Sequence, residues 1–353
     1  MCCRCELARF VLRDRSWRFP VLAALCLLTA GCVSYDDFTL PPCPPRPTTV
    51  RISWQVLAEP VLQPGPPGSW DAVDVLNPVI FRWRDRYFNL YSGFDGATWH
   101  TGLATSTDGL RWQKLGRVLS PDPRSWEGSY IAANGTALVL NDTIHYWYQA
   151  GDPPQVGLAT SRDGLRWTKL PSPVLRPGPR GSWDEMGVAD PYVLRVGQTL
   201  YMYFLGQDRA RRQRLGLATS NDGVHWVKLR SNPVLDLGPP GSFDEVGLGE
   251  PAVWRAFGRY WMLYTGRDRH ERRRIGIATS SDGVRWSRLP PDTLLSGDQP
   301  WNSSVVCDPE VEPHPFGARV WFGGGRVPHP AENIQGRIGV AFLNINEEGA
   351  TLP

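Results

Sequence analysis

Cysteine is scarce where it would matter. Of seven Cys, five fall in the first 32 residues (Cys2, Cys3, Cys5, Cys26 and Cys32), which leaves Cys43 and Cys307 for the rest of the chain. Two such distant thiols give neither a disulfide framework nor the ligand spacing of a zinc site. Helical periodicity is missing, and so is an excess of charge. The formal +3 belongs to residues 1–31, where five Arg face Glu6 and Asp14; the remainder carries 33 basic and 33 acidic residues. A neutral chain gives no electrostatic reason to expect a nucleic acid partner. There is no phosphate-cradling glycine loop and no Ser-His-Asp order. The apolar run Phe19–Ala30 is too short to span a bilayer as a stable helix.

What is present is a repeat. Leu217–Leu229 reads LATSNDGVHWVKL, and the phrase returns at Leu103–Leu115, Leu158–Leu170 and Ile277–Leu289. The Gly before each copy (Gly102, Gly157, Gly216, Gly276) advances by 55, 59 and 60 residues, and a degraded copy at Gly339 follows 63 further on. A fixed period of this size indicates a repeat architecture. Each copy predicts two strands joined by a two-residue Asp-Gly hairpin, with Trp112, Trp167, Trp226 and Trp286 packing the outer strand. Aromatic, β-prone segments precede each copy (Tyr87–Tyr91, Tyr146–Tyr148, Tyr201–Phe204, Tyr260–Tyr264). Shorter segments led by Pro78, Ala137, Pro191, Pro251 and Pro309 come before those. Four antiparallel strands per unit in five units predict an all-β fold, a five-bladed β-propeller. Trp54–Leu62 matches Trp167–Leu175, the outer strand and exit of a blade, yet no blade precedes it. The last blade lacks a clear outer strand, so Arg51–Val56 is expected to complete it and close the ring, removing open edges.

Residues 1–31 read as an export leader: Arg4, Arg9, Arg13, Arg15 and Arg18, then the apolar run, then Leu28-Thr29-Ala30-Gly31-Cys32. That ending resembles a bacterial lipobox, with Cys32 lipidated as the first mature residue. The expectation is an exported lipoprotein, anchored to a membrane in the periplasm or at the cell surface, and monomeric. Residues 32–50, with Pro41, Pro42, Pro44, Pro45 and Pro47, predict a stiff tether, and 51–353 the propeller.

A second repeat runs Ser69-Trp70-Asp71, Ser125-Trp126-Glu127, Ser182-Trp183-Asp184, Ser242-Phe243-Asp244 and Pro300-Trp301-Asn302. Its presence in every unit argues for a structural role. One register instead differs between units. Just before the innermost strand stand Asn77-Pro78, Asn134-Gly135, Asp190-Pro191, Glu250-Pro251 and Asp308-Pro309. These converge on the axis, and three are carboxylates of consecutive blades. Crowded acids raise each other's pKa at a cost in stability, and pKa values pushed apart are what general acid catalysis needs.

Five blades, the Ala-Thr-Ser-x-Asp-Gly-x-x-Trp phrase, and Asp-Pro then Glu-Pro at successive inner strands resemble the five-bladed glycoside hydrolases of families 43, 32, 62, 68 and 130. The resemblance spans about residues 51–343. It implies a carbohydrate substrate, with Asp190 as modulator or transition-state stabiliser and Glu250 as general acid. Asn77 stands where an Asp base or nucleophile is expected, and Asp74 or Asp308 would have to reach the same space. Asn77 and Asn134, in the varying register, are candidate substrate-binding residues, as is Trp99, an aromatic beside His100 that would stack on sugar or else pack its loop. Some family 43 members place a His near an axial calcium, for which His314 and His329 are the candidates; no ligand spacing supports one, and no other cofactor is implied.

Three readings follow: a hydrolase of O-glycosidic bonds, a family 130-like phosphorylase in which phosphate attacks and no base is needed, and a non-catalytic surface propeller binding glycan or protein. The loops Arg209–Arg214 and Arg267–Arg274 hold nine Arg on the units that supply Asp190 and Glu250. They predict an anion site touched by Arg212 and Arg272, or else solvated hairpin tips.

Overall fold

The computed structural model describes residues 33–44, 50–330 and 332–347. The leader and Cys32, with the expected lipidation, lie outside the described residues. The fold is all-β, and the one helical element among the described residues is a 3₁₀ turn at Pro291–Thr293. Two strands come first: β1 (Ser34–Asp36) and β2 (Val50–Val56). Set one follows as β3 (Asp74–Leu76), β4 (Ile80–Trp83), β5 (Arg86–Phe94), β6 (Trp99–Ser106) and β7 (Gln113–Leu119). Set two is β8 (Ala132–Leu140), β9 (Thr143–Ala150), β10 (Gln155–Ser161) and β11 (Thr168–Lys169). Set three is β12 (Gly187–Val196), β13 (Thr199–Gln207), β14 (Gln213–Ser220) and β15 (Val227–Leu229). Set four is β16 (Gly247–Ala256), β17 (Arg259–Arg267), β18 (Arg273–Ser280) and β19 (Ser287–Arg288). Set five is β20 (Val305–His314), β21 (Gly317–Gly325) and β22 (Arg337–Glu347).

Within the sets, neighbouring strands pair antiparallel in sequence order, except that β3 and β4 of set one both pair with β5. β2 pairs antiparallel with β22, from Val50 opposite Glu347 to Val56 opposite Ala341, so the orphan N-terminal strand is the outer strand of set five. The first strands of successive sets touch one another, and β20 also touches β4. Sets are locked by aromatic donors reaching a neighbour's turn. Trp147 Nε1 donates to Gly223 O at 2.8 Å, Tyr203 Oη to Gly283 O at 2.7 Å, and Trp321 Nε1 to Gly109 O at 2.7 Å. The last of these ties set five to set one.

The second repeat is structural, as its recurrence implies. Trp70, Trp183, Phe243 and Trp301 each lie across a glycine pair on the two middle strands of a set. A Cβ on Gly216 would stand 2.5 Å from the Trp183 ring, which is why that position excludes every side chain. The acid that follows the aromatic is buried against a cation: Asp71 with Lys114 at 2.6 Å, Glu127 with Lys169 at 2.6 Å, Asp244 with Arg288 at 2.8 Å, and Asp184 with Lys228. Tyr91 and Tyr264 donate to these carboxylates from within the same sets. A buried ion pair holds only when its remaining lone pairs are satisfied, and the tyrosines contribute that.

Two local expectations are corrected. The Asp-Gly segment is not a two-residue hairpin, since β14 ends at Ser220 and β15 begins at Val227. Ser220 Oγ accepts the Asp222 and Gly223 N–H groups, while Asp222 Oδ1 accepts those of Val224 and His225. Side-chain oxygens thus replace ladder bonds in a longer loop. Residues 33–44 are also not a free tether. β1 adds to β15 in parallel, Leu40 is fully buried, Leu40 N donates to Asp282 O, and Tyr260 Oη donates to Pro41 O at 2.7 Å. Apolar Phe38 and Leu40 ahead of the prolines, and Cys43 among them, pack into the core beside Tyr201 and Tyr203.

The Asp184–Lys228 pair has both side chains at 0% exposure. Lys228→Met should therefore cost about 3–5 kcal/mol in urea unfolding, because a buried carboxylate loses its counter-charge. Adding Asp184→Leu should recover part of that loss, and no recovery would mean the pair is held by something other than charge.

Candidate functional site

The five residues of the varying register share one uncommon backbone state. Asn77, Asn134, Asp190, Glu250 and Asp308 have φ of 48°, 50°, 47°, 46° and 52°. The left-handed region costs an L-residue about 1–2 kcal/mol. In sets two to five the pairing register shifts at this residue, and in set one β3 breaks from β4 there. The kink is therefore a bulge that aims the side chain out of the sheet. Partners from neighbouring sets hold it. Asn77 N donates to Asp308 Oδ2 (3.1 Å), Asn134 N to Ser92 Oγ (3.0 Å), Glu250 N to Asp190 Oδ2 (3.3 Å) and Asp308 N to Thr265 Oγ1 (3.1 Å).

All five residues line one cavity of about 210 Å³. Its walls include Trp99, Tyr130, Gln149, Gln207, Gln213, Arg267, Arg273 and Pro330. A smaller cavity of about 30 Å³ continues behind the five, toward Tyr192 and Glu310. Trp99 is buried and stacks on Phe94 at 4.8 Å.

The three carboxylates are differently committed. Asp190 accepts Asn134 Nδ2 at 2.5 Å as well as the Glu250 N–H. Asp308 accepts the Asn77 N–H and the Cys307 thiol, and Gly323 makes room for it, since a Cβ there would lie 2.4 Å from Oδ2. Glu250 Oε2 is enclosed and has no protein partner. Burial pushes Asp190 up to about 7, with the Glu250 charge adding to the effect. Burial and then Glu250 also push Asp308 well above the carboxylate range, while Arg273 opposes the shift. The cluster therefore holds protons near neutrality, which dispersed surface acids do not. Behind it, burial raises Glu310 to about 8.

Other expected site residues lie elsewhere. Asp74 is fully buried and not on the cavity wall. Its oxygens accept Asn333 N at 2.5 Å and Gly336 N at 2.7 Å, so it fastens a loop and does not face the cavity. Arg212 pairs with Asp208 at 2.7 Å, and Arg272 is exposed at its hairpin tip. Neither lines the cavity. Most of the nine loop arginines answer local acids, such as Arg209 with Glu185 and Arg269 with Glu245. Arg267 and Arg273 do face the cavity, because they sit on the strand ends and not in the tip between them. Arg267 bonds Gln213 and Glu271, and its Nε is buried without a partner. Arg273 holds His329 O at 2.9 Å and also Pro330 O.

The calcium expectation finds no donor set. His314 ends β20, with Nδ1 accepting the Phe316 N–H, whereas His329 lies near the opposite end of that strand through Arg273, which pairs with Val305. Among the described residues no three His, Cys, Asp or Glu side chains converge to hold a metal. Sequence reasoning missed Gln213 and Arg273, yet a signal existed. With Trp99 and Pro154 they occupy the position three before the repeat glycine, and all four line the cavity.

The Glycosyl hydrolases family 32 N-terminal domain profile matches residues 85–230 and 157–298. The overlap of the two matches reflects the internal repeat. The uncharacterized protein Rv1502 of Mycobacterium tuberculosis is 30% identical over 234 residues, covering 63% of this chain and 76% of that protein. Sucrose-6-phosphate hydrolase of Escherichia coli is 30% identical over 160 residues, or 42% of this chain and 32% of the enzyme. A solved structure from the GH130 family, reported with glycoside hydrolases that target β-1,2 mannosidic linkages in Candida mannan, superimposes with a TM-score of 0.63 at 18% identity, covering 91% of this chain and 98% of that one. A thermostable family-43 glycoside hydrolase gives 0.57 at 16% identity, over 79% and 92%. These neighbours are propeller glycoside hydrolases.

The raised Asp190 has a consequence for stability. Between roughly pH 4, where an unfolded Asp ionises, and about pH 7, native Asp190 keeps a proton that the unfolded chain has released. Stability should fall as pH rises through that window. Thermal melts should show a shallower fall for Asp190→Asn, and an identical slope would contradict the burial argument.

Proposed function

The chain belongs to the family of the glycosyl hydrolases family 32 N-terminal domain, and from that premise we propose that it hydrolyses O-glycosidic bonds of a poly- or oligosaccharide. In this reading the five strand sets are blades of one propeller, closed where β2 joins β22, with the carboxylates on its axis. The observation that carries the chemistry is the shared cavity of Asp190, Glu250 and Asp308, in which Glu250 holds an enclosed oxygen with no protein partner. Glu250 is the general acid and gives its proton to the leaving oxygen as the bond to the anomeric carbon breaks. Arg273 favours the charged form of Asp308, the form a base requires. Asp308 then takes the proton of the attacking water, in the space beside Asn77 that an amide cannot serve. Asp190 stays fixed by Asn134 and modulates both. On the leader alone we propose that the protein is exported and lipidated at Cys32.

A second reading, phosphorolysis or an anionic substrate, is favoured by one observation. Arg267 and Arg273 line the same cavity, and the Arg267 Nε has no partner. Guanidinium groups suit phosphate and carboxylate oxygens.

Turnover of a panel of neutral and uronate-bearing glycans, with and without phosphate, separates the two. Glu250→Gln should lower turnover about 10²- to 10⁴-fold, and Asp308→Asn should do so for hydrolysis only. Turnover that requires phosphate, survives Asp308→Asn and weakens in Arg267→Ala would establish the second reading. Full activity of Glu250→Gln would remove the assigned acid from both.

A further inference from the structure

Successive residues of a strand point to opposite faces. Trp99, Pro154, Gln213 and Arg273, three before the repeat glycine, line the central cavity, whereas the residues two before it do not. These are His100, Gln155, Arg214, Arg274 and Arg337, each paired with an equivalent residue of the preceding strand: Gly93, Ala150, Gly206, Gly266 and Gly324. Two positions beyond those partners stand Asp95, Asp152, Asp208, Asp268 and Arg326. In sets one, three and four the acid lies against the basic side chain: His100 and Asp95 at 3.3 Å, Arg214 and Asp208 at 2.9 Å, Arg274 and Asp268 at 3.6 Å. In set two Gln155 carries no charge to answer. Set five reverses the sign, because Arg326 occupies the position of the acid.

Arg326 and Arg337 line a cavity of about 240 Å³ that shares no wall residue with the central one. Trp301, Gln299 and Gln335 border it as well. Arg326 Nε donates to Gln335 Oε1, and among the described residues no carboxylate pairs with either guanidinium. Glu59, the one acid on the wall, is exposed and forms no ion pair with them. Glu332 is taken elsewhere, since the Tyr130 hydroxyl donates to its Oε2 at 2.5 Å. That bond is one of three anchors of the segment between β21 and β22. Asp74 accepts Asn333 N and Gly336 N, and Arg273 bonds His329 O and Pro330 O. The segment thus brings Pro330 to the central cavity, while Arg326 and Arg337 at its two ends border the outer one.

We propose that Arg326 and Arg337 form a second binding site, outside the central cavity, for a uronate unit of an acidic glycan. Its carboxylate supplies the counter-charge that Asp208 and Asp268 supply in their own sets, and its planar shape matches the guanidinium fork. The Gln299 side chain and the Gln335 amide nitrogen, on the same wall, suit ring hydroxyls, which an inorganic anion does not carry. The site is independent of the glycosidase reading, because the two cavities have separate walls.

The test is calorimetric titration of the full chain, carrying Glu250→Gln to prevent turnover. The probes are glucuronate- and galacturonate-containing oligosaccharides, their carboxyl-reduced neutral copies, and inorganic phosphate. At least one uronate probe should bind about tenfold (1.4 kcal/mol) or more tightly than its reduced copy. Arg337→Ala should remove that gap. Arg326→Asp, which restores at an exposed position the acid of sets one, three and four, should remove it too, with the melting temperature unchanged. A gap that survives both changes, or that disappears in Arg267→Ala alone, would locate the anion in the central cavity and overturn the second site. Equal binding of the reduced copies, no binding of any uronate, or binding of phosphate alone would overturn the uronate assignment.

Discussion

The structure depends on a single backbone constraint repeated around its centre. Each of sets two to five carries, two or three residues inside its first strand, a residue in the left-handed region, as set one does between β3 and β4, and the side chain is thereby turned out of the sheet toward its four counterparts. Such strain persists only where the surroundings over-determine it. Here the N–H of the kinked residue is bonded by a side chain of a neighbouring set, as with Asn77 to Asp308 and Glu250 to Asp190. The contacts that hold the kinks are thus also the contacts that hold the sets together. Asp190 and Asp308 serve both ends, as kinked residues and as acceptors for the next, which is why chemistry and closure meet in the same carboxylates.

Away from the centre, uniformity does the opposite work. The aromatic over a glycine pair and the buried carboxylate with its cation recur with small variations, and none of them lines the cavity. A repeated surface cannot recognise an asymmetric ligand from every side. Asymmetry is introduced at two levels: the five kinked residues, and the residues three before each repeat glycine. The cavity is the product of those two rings of differences on a regular scaffold.

The segment between β21 and β22 adds a third source of asymmetry. Its three anchors explain Asp74, which is a buried carboxylate with both oxygens given to backbone N–H groups. A carboxylate so placed shapes the site without entering it, and its raised pKa comes first from burial. Raised carboxylate pKa values are therefore common to the cavity acids and to this anchor, and only the geometry separates them.

Much was legible in the chain itself. The period, the strand pattern, the pairing of the N-terminal strand with the last set, and the gathering of Asn77, Asn134, Asp190, Glu250 and Asp308 all follow from repetition, because equivalent positions in equivalent units must fold alike. Trp99 was legible in another way, as an aromatic in a loop of set one able to stack on a sugar. What repetition could not supply was decided by tertiary structure. Arg212 and Arg272 stand one residue from Gln213 and Arg273, yet one pair sits in a hairpin tip and the other on strand ends facing the cavity. A strand alternates its faces residue by residue, so a register uncertain by one reverses the assignment. Asp74 needed knowledge of a loop more than 250 residues away. The proline-rich stretch read as a tether because Leu40 finds its pit only once Tyr203 and Gly283 have been brought together. Local pattern fixes what each unit is, while contacts between distant units fix which of its polar groups are left free to act.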